Sequence, residues 1–440
     1  MVVSQEIVNY LVGLLAGTGS CEAVYYGRES AAHARSKVII IPSGFFEEGV
    51  YGTRASLPSV PFSLINNTPV LFGDSRIERK KDRIILYADI IASSYFMLSR
   101  YEEMIKRERR DIHKRFLAKD SIVFKQGYGL VPIVDEYGIL LRELLREYAI
   151  KTHDETKGFS KIYLTHDIDR PFKYPTLKSA IKQKIANVIR KDSCEKNVLL
   201  QYFDLRRDEY FTFPKILEYD NNLVNKINGD IVKPVYFIIS RKNRLLSLYR
   251  GIKSRKFKKL VGLLKSYKVE FGLHVSYKAG EIPEEIKCEK RRLEKVLSIK
   301  TSKSRHHGLR WIEPEDVDCM EDAGVMDDFT MGYADSIGFR VGTCRPYRFI
   351  NPVRMSLTKV TIHPMEIMEC TLDRKNYMNV SYEQALFACK RVIKEVYKNN
   401  GELVLLWHNT EFVCAPNRYQ NKLYEELLEY IHCLSSSGNV

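Results

Sequence analysis

Two kinds of apolar pattern alternate along most of the chain. Short runs rich in Ile, Val, Leu and aromatic residues lie at 161–166, 234–240, 269–276 and 402–407, and read as strands. Between them apolar positions recur at helical spacing over 256–267, 283–297 and 381–399, with further helices within 176–225 and an amphipathic helix over about 416–434. Shorter strands and loops fill the stretch from about 300 to about 375. Strand–helix alternation of this kind predicts an α/β protein built on a parallel sheet. Upstream, Lys37–Pro42 reads as a strand, and Arg83–Arg100 and Gly138–Tyr148 read as helices of a smaller α/β unit with no catalytic constellation of its own. The polar, non-periodic stretch Lys151-Thr-His-Asp-Glu-Thr-Lys-Gly158 marks the boundary, predicting domains over 1–155 and 160–440. A chain of 440 residues exceeds the size at which one core usually keeps growing.

Several of these strands run out into residues that carry chemistry. Ile162-Tyr-Leu164 leads into Thr165-His-Asp-Ile-Asp169, and the i, i+2 spacing puts Asp167 and Asp169 on one face of a strand. Two carboxylates that close repel unless a cation or a shared proton intervenes. They read as one metal ligand and one general base, or else as a helix-capping or Asx-turn pair. Val269–Tyr277 delivers His274 and Ser276, Ser304–Trp311 carries His306 and His307 between two arginines, and Leu403–Phe412 delivers His408. A single histidine beside a strand is ordinarily a hydrogen-bonded structural residue. The recurrence of one arrangement, an apolar strand followed by a metal-capable side chain, points to a shared site.

These residues resemble the polysaccharide deacetylase family, the NodB-homology carbohydrate esterases. Thr165–Asp169 looks like the family's first motif, which implies Asp167 as catalytic base and Asp169 as metal ligand. Gly272-Leu-His-Val-Ser276 looks like the start of the second motif, with His274 a ligand, but Lys278 stands where a second histidine is expected. Arg305 with His307 resembles the arginine-bearing third motif, and His307 is the candidate for the missing ligand, with His306 and His363 as the others. His408 matches the final motif, whose histidine acts as general acid. Gly338–Tyr347 looks like a substrate-side loop, and Asp89–Glu103 and Val131–Tyr137 resemble the N-terminal domain of unknown function of one subgroup. The resemblance implies a distorted (β/α) barrel with its site at the carboxyl ends of the strands.

That chemistry has clear requirements. Hydrolysis of an N-acetyl (or O-acetyl) group on a sugar of a glycan or its precursor needs a polarised carbonyl, an activated water and a proton for the leaving group. A divalent cation held by one carboxylate and two imidazoles leaves positions open for water and the acetyl oxygen. Zinc is the default for such ligands, although iron, cobalt and nickel also suit them. Asp167 could take the water's proton and His408 return one, with Arg305 holding Asp167 through a bidentate contact. The runner-up is a non-catalytic carbohydrate-binding or polysaccharide-assembly protein on a degenerate scaffold, because Lys278 interrupts the metal motif. Glycosidic cleavage by the two aspartates is a third reading, which their closeness on one strand disfavours.

Other side chains carry two readings each. Arg340, Arg345 and Ser276 bind substrate or make structural contacts. Trp311 and Tyr347 stack on a sugar or pack in the core, and His363 lines the pocket or is structural. The net charge of +15 is concentrated in Lys173–Lys196 and Arg241–Lys268, and Leu177, Ile181, Ile185 and Ile189 form an i, i+4 stripe. A helix packed on the barrel with a solvated basic face is expected, the alternative being peripheral contact with an anionic membrane that presents a lipid-linked saccharide. No nucleic-acid motif accompanies the charge, so no nucleic-acid partner is expected. No uncharged apolar stretch reaches about 18 residues, the start Met-Val-Val-Ser-Gln-Glu lacks the order of a secretory signal, and nine scattered cysteines include no Cys-x-x-Cys. A cytoplasmic protein with reduced thiols is the expectation.

Overall fold

Each apolar run after residue 158 that was read as a strand forms one, within two residues at either end. A computed structural model of the protein describes residues 3–29, 35–152, 156–189, 197–227, 230–240, 254–413 and 418–437. Residues 153–155 at the expected boundary, 190–196 and 241–253 in the basic stretches, and 416–417 at the start of the last expected helix lie outside them. The strands upstream are β1 (Val24–Tyr26), β2 (Val38–Ile40), β3 (Ser63–Ile65), β4 (Thr68–Val70), β5 (Gly73–Arg79) and β6 (Ile84–Ala88). Downstream they are β7 (Phe159–Ile168), β8 (Val232–Ile239), β9 (Glu270–Val275), β10 (Lys303–His306), β11 (Asp327–Asp328), β12 (Tyr347–Asn351), β13 (Ser356–Ile362), β14 (Ile367–Met368) and β15 (Gly401–Leu406).

β1, β2, β6 and β5 form a four-stranded sheet in that order, antiparallel only at β5–β6. The expected helix over Arg83–Arg100 is corrected here. Its first part is the buried strand β6, and Asp89 then caps a helix over Ile90–Leu98 by accepting the Ala92 N–H at 2.9 Å. A continuous apolar run does not distinguish a two-sided buried strand from a buried helix, and Asp89 is the punctuation between them.

The nine downstream strands form one sheet in the order β12-β13-β11-β10-β9-β8-β7-β15-β14, parallel throughout except at β12–β13. This sheet curls. β13 and β15 stand six positions apart, which in a flat sheet would separate them by about 29 Å. Yet His363, the residue after β13, places Nδ1 2.6 Å from Oε2 of Glu402 on β15. The result is a curled, half-barrel sheet whose edge strands β12 and β14 are not hydrogen-bonded to each other among the described residues.

Alternation divides the strands between an inside and an outside. Tyr163, Val235, Phe237, Val404 and Leu406 face a small interior cluster with Phe329 and Met365. Ile162, Leu164, Tyr236, Ile238, Leu273, Leu403 and Leu405 join the main core outside, under the helices. Gly272 is required by this packing, because a Cβ there would lie 2.3 Å from the Phe237 ring. The main apolar core also takes in the helix Gln5–Ala16 and β2 and β6, so packing is continuous between the two sheets.

A polar seam reinforces that continuity. Glu103 is buried and pairs with Arg100 at 2.6 Å and with Arg340 at 2.8 Å. Burial alone would raise its carboxyl, but the two guanidinium groups hold it down at about 2. Gly129 accepts the Phe339 N–H at 2.9 Å, Gly342 accepts the Val134 N–H at 2.7 Å, and Asp135 accepts the Thr343 hydroxyl at 2.7 Å.

The helix Leu177–Ile189 departs from expectation. Ile181, Ile185 and Ile189 of the stripe are exposed, as is Val188. The helix instead turns Ala180 into a small separate cluster with Tyr174 and Val198. Among the described residues no helix is long and apolar enough to cross a membrane.

His363 lies in the lower layer of the barrel, stacked on Phe329 with ring centroids 4.4 Å apart and bonded to both Glu402 and Asp327. Burial opposes its charged form, but the two carboxylates outweigh burial and raise it to about 9. A folded value above the unfolded one means its stabilisation is complete below the ordinary histidine value of about 6.5 and fades as pH rises through about 9. His363→Gln should therefore cost about 3 kcal/mol in urea unfolding at pH 6 and much less at pH 9.5.

Candidate metal centre

The curled sheet sends inward side chains from separate strands to one mouth. Thr165 and Asp167 face inward on β7, and Asp169 continues that face one residue past Ile168. His274 is the next-to-last residue of β9. On β10, Arg305 points inward and His306 outward. A single turn over His307–Leu309, with Gly308 at φ 62° and Leu309 at φ 56°, then swings His307 back toward the mouth. His408 follows β15 by two residues.

Three side chains meet there. Asp169 Oδ1 lies 3.1 Å from His274 Nε2, and Oδ2 lies 3.3 Å from His307 Nε2. The three ligand-capable atoms fall within 4.8 Å of one another. Ligands about 2.0–2.1 Å from a tetrahedral zinc sit roughly 3.3 Å apart, so the Asp169 contacts have the right span. Asp169 Oδ1 and His274 Nε2 are buried and have no hydrogen-bond partner among the described residues. Two such atoms left facing each other are what a shared cation would satisfy. The other nitrogen of His274 is 3.0 Å from the Arg305 carbonyl, which orients the ring with Nε2 toward Asp169. Burial works to raise Asp169, but the two imidazoles hold it well below the usual carboxylate range. The same pairing raises His307 against its own desolvation. A dication would supply the positive charge that protonated imidazole otherwise provides.

Two further groups flank this triad. Asp167 lies 3.2 Å from Arg305 Nη1 and 3.5 Å from His274 Nε2. Arg305 does not hold Asp167 through a bidentate contact. Its Nη1 also donates to Thr165 Oγ1 at 2.7 Å, and its Nε donates to the Phe329 carbonyl at 3.0 Å, which spreads the fork over three partners. His408 places Nε2 3.7 Å from Asp169 Oδ2 while Nδ1 sits 2.6 Å from Glu369 Oε1. Desolvation disfavours its charged form, but the Glu369 carboxylate raises it well above the ordinary histidine value. Glu369 also accepts the His408 backbone N–H at 3.0 Å.

Residues 15–150 match a family of unknown function (DUF7033). No curated protein shows significant similarity to the chain. A solved structure of a "putative polysaccharide deacetylase from Mycobacterium smegmatis" is similar at 11% identity and a TM-score of 0.40, over 64% of this chain and 86% of that one.

The expected residues thus divide. Asp167, Asp169, His274, Arg305, His307 and His408 come together. Lys278, at the interrupted motif, pairs with Glu285. His306 is buried against Thr330 and stacked on Trp311, and desolvation with nearby Arg100 lowers it to about 3. Five expected substrate contacts are engaged elsewhere. Ser276 donates its hydroxyl and N–H to Glu289, Trp311 packs on Phe349 and donates to the Glu313 carbonyl, and Tyr347 lies in the main core. Arg340 is committed to Glu103, and Arg345 donates to the Asn399 carbonyl at 2.8 Å. The loop read as substrate-side is therefore a joint between the two sheets. Glu369 had no role in the sequence reading, though its signal was there, since it follows the apolar pair Ile367-Met368 at a strand exit like the other site residues.

With Asp169 and His274 acting as ligands of a bound zinc, Asp169→Asn and His274→Gln should each weaken its binding by more than about 100-fold, since even outer groups cost about 10–100-fold. His306→Gln and His363→Gln should leave it unchanged; equilibrium competition with a chromophoric chelator measures all four.

Proposed function

We propose that the protein is a metal-dependent hydrolase that removes an acetyl group from an amino sugar in a glycan or its precursor. On this reading the curled sheet is a barrel of the polysaccharide deacetylase type over 160–440, and residues 1–155 are an accessory domain. The observation that carries it is the convergence of Asp169, His274 and His307 with Asp167 on one side and His408 on the other. Asp169, His274 and His307 would hold the ion, and zinc suits one carboxylate with two imidazoles. When bound it would polarise the acetyl carbonyl and ease deprotonation of water.

The chain's own groups then have distinct tasks. Asp167, fixed by Arg305, takes a proton from the attacking water. His408, fixed at Nδ1 by Glu369, presents Nε2 to the site and returns a proton to the departing nitrogen as the carbon–nitrogen bond breaks. An O-acetyl group would leave by the same division of labour. His307 stands in for the motif-two histidine replaced by Lys278, which favours catalysis over the non-catalytic carbohydrate-binding alternative. Lys178, Lys182 and Lys184 beside the exposed stripe of the helix Leu177–Ile189 form the surface that would face an anionic membrane if the acceptor is lipid-linked.

Acetate release from N-acetylated polysaccharides and from lipid-linked N-acetylated saccharides in anionic vesicles tests this reading and separates the two acceptors. Asp167→Asn should lower turnover at least about 100-fold while keeping zinc, and Asp169→Ala should lose both. A zinc-loaded protein that binds these glycans and releases no acetate would establish the binding protein instead.

A further inference from the structure

We propose that the N-terminal portion completes the metal centre by holding His307 in place through Arg115, which makes the loop Asp111–Arg115 a positioning element of the site. This rests on reading Asp169, His274 and His307 as one metal site. His307 differs from the strand-borne ligand His274. It sits in a single turn that includes two residues of positive φ, and its side chain keeps 33% exposure while that of His274 has none. What holds that turn therefore sets where the His307 ring lies.

The brace comes from the portion that matches the family of unknown function. Arg115 Nη1 donates to the Gly308 carbonyl at 3.1 Å, on the residue directly after His307. The same guanidinium is locked from behind. Its Nε and Nη2 donate to Asp111 Oδ2 at 3.0 and 2.7 Å, and Nη2 also donates to the Tyr377 hydroxyl at 2.9 Å. Asp111 Oδ1 in turn accepts the backbone N–H groups of His113 and Arg115, so the loop is closed on itself.

The loop also ties together the exits of the two strands that lead to the histidines. Arg310, beyond His307, donates to the His113 carbonyl at 2.7 Å and lies 3.9 Å over the Tyr277 ring. Tyr277, beyond His274, has its hydroxyl 3.2 Å from His113 Nδ1 and its ring 6.3 Å from that of His307. Lys114 and Arg310 share the carboxylate of Glu281 at 2.8 and 2.7 Å. One short loop thereby fixes β9's exit relative to β10's.

The test is the dissociation constant of zinc alone for the full chain, measured by chelator competition, with circular dichroism to confirm folding. Arg115→Ala should weaken zinc by about 10–100-fold, the range for groups that orient ligands, and Arg115→Lys should recover part of the loss. Should Arg115→Ala not fold, Arg115→Gln is read in the same way. Arg107→Ala, which removes seam ion pairs to Glu313 and Glu315 without touching the loop, should bind zinc as the parent does. In a His307→Ala background the Arg115 substitution should add no further loss. Parental affinity in Arg115→Ala, or an undiminished loss in the His307→Ala background, would overturn the inference while leaving the metal site intact. Parental affinity in His307→Ala itself would overturn the ligand set and the inference together.

Discussion

Everything at the site depends on the curvature of the nine-stranded sheet. Parallel strands with right-handed twist bring their carboxyl ends round toward a common axis only if the interior is filled by side chains of the right bulk. Here Tyr163, Phe237, Phe329 and Met365 supply that bulk, and the bond between His363 and Glu402 joins elements on opposite sides of the opening. The curl brings the carboxyl ends of β7, β9, β10 and β15 to one mouth.

Convergence has an energetic consequence. Buried polar groups are normally satisfied, and His166 is an instance, with one ring nitrogen on the Trp407 carbonyl and the other on Asp220. Several buried polar atoms depart from that pattern, and four of them lie at the mouth. Asp169 Oδ1, His274 Nε2, Arg305 Nη2 and Glu369 Oε2 are all buried without hydrogen-bond partners among the described residues. Each such group costs about 1–3 kcal/mol, a cost that a cation or polar ligand at the opening would offset.

The portion upstream is more than an appendage to this barrel. Its apolar residues run into the same core, Glu103 ties down Arg340 across the seam, and Arg115 reaches the turn that carries His307. Buried ion pairs such as Glu103 with Arg100 and Arg340 add little net stability. They do fix the relative placement of the elements they join, because an unpaired partner would be left charged and desolvated. Placement is what a side chain carried on a single turn, such as His307, takes from its surroundings.

Much of this was legible from residue order. The alternation of apolar runs located the barrel strands and their helices, because burial on both faces of a parallel sheet needs continuous apolar sequence. The i, i+2 spacing put Asp167 and Asp169 on one face, and polar residues at strand exits marked His274, His307 and His408. Sequence could not separate β6 from the helix after it, nor tell which way the stripe of Leu177–Ile189 would turn, since both depend on what packs against them. It likewise could not assign Arg340, Arg345, Trp311 and Tyr347, which lie near the motifs in sequence and against the other sheet in space. Glu369, Thr165 and Arg115 acquire their roles only where distant segments meet. Local pattern determines which face of an element is apolar and which residue stands at its end; which of those ends meet is decided by how far the sheet curls and what closes it.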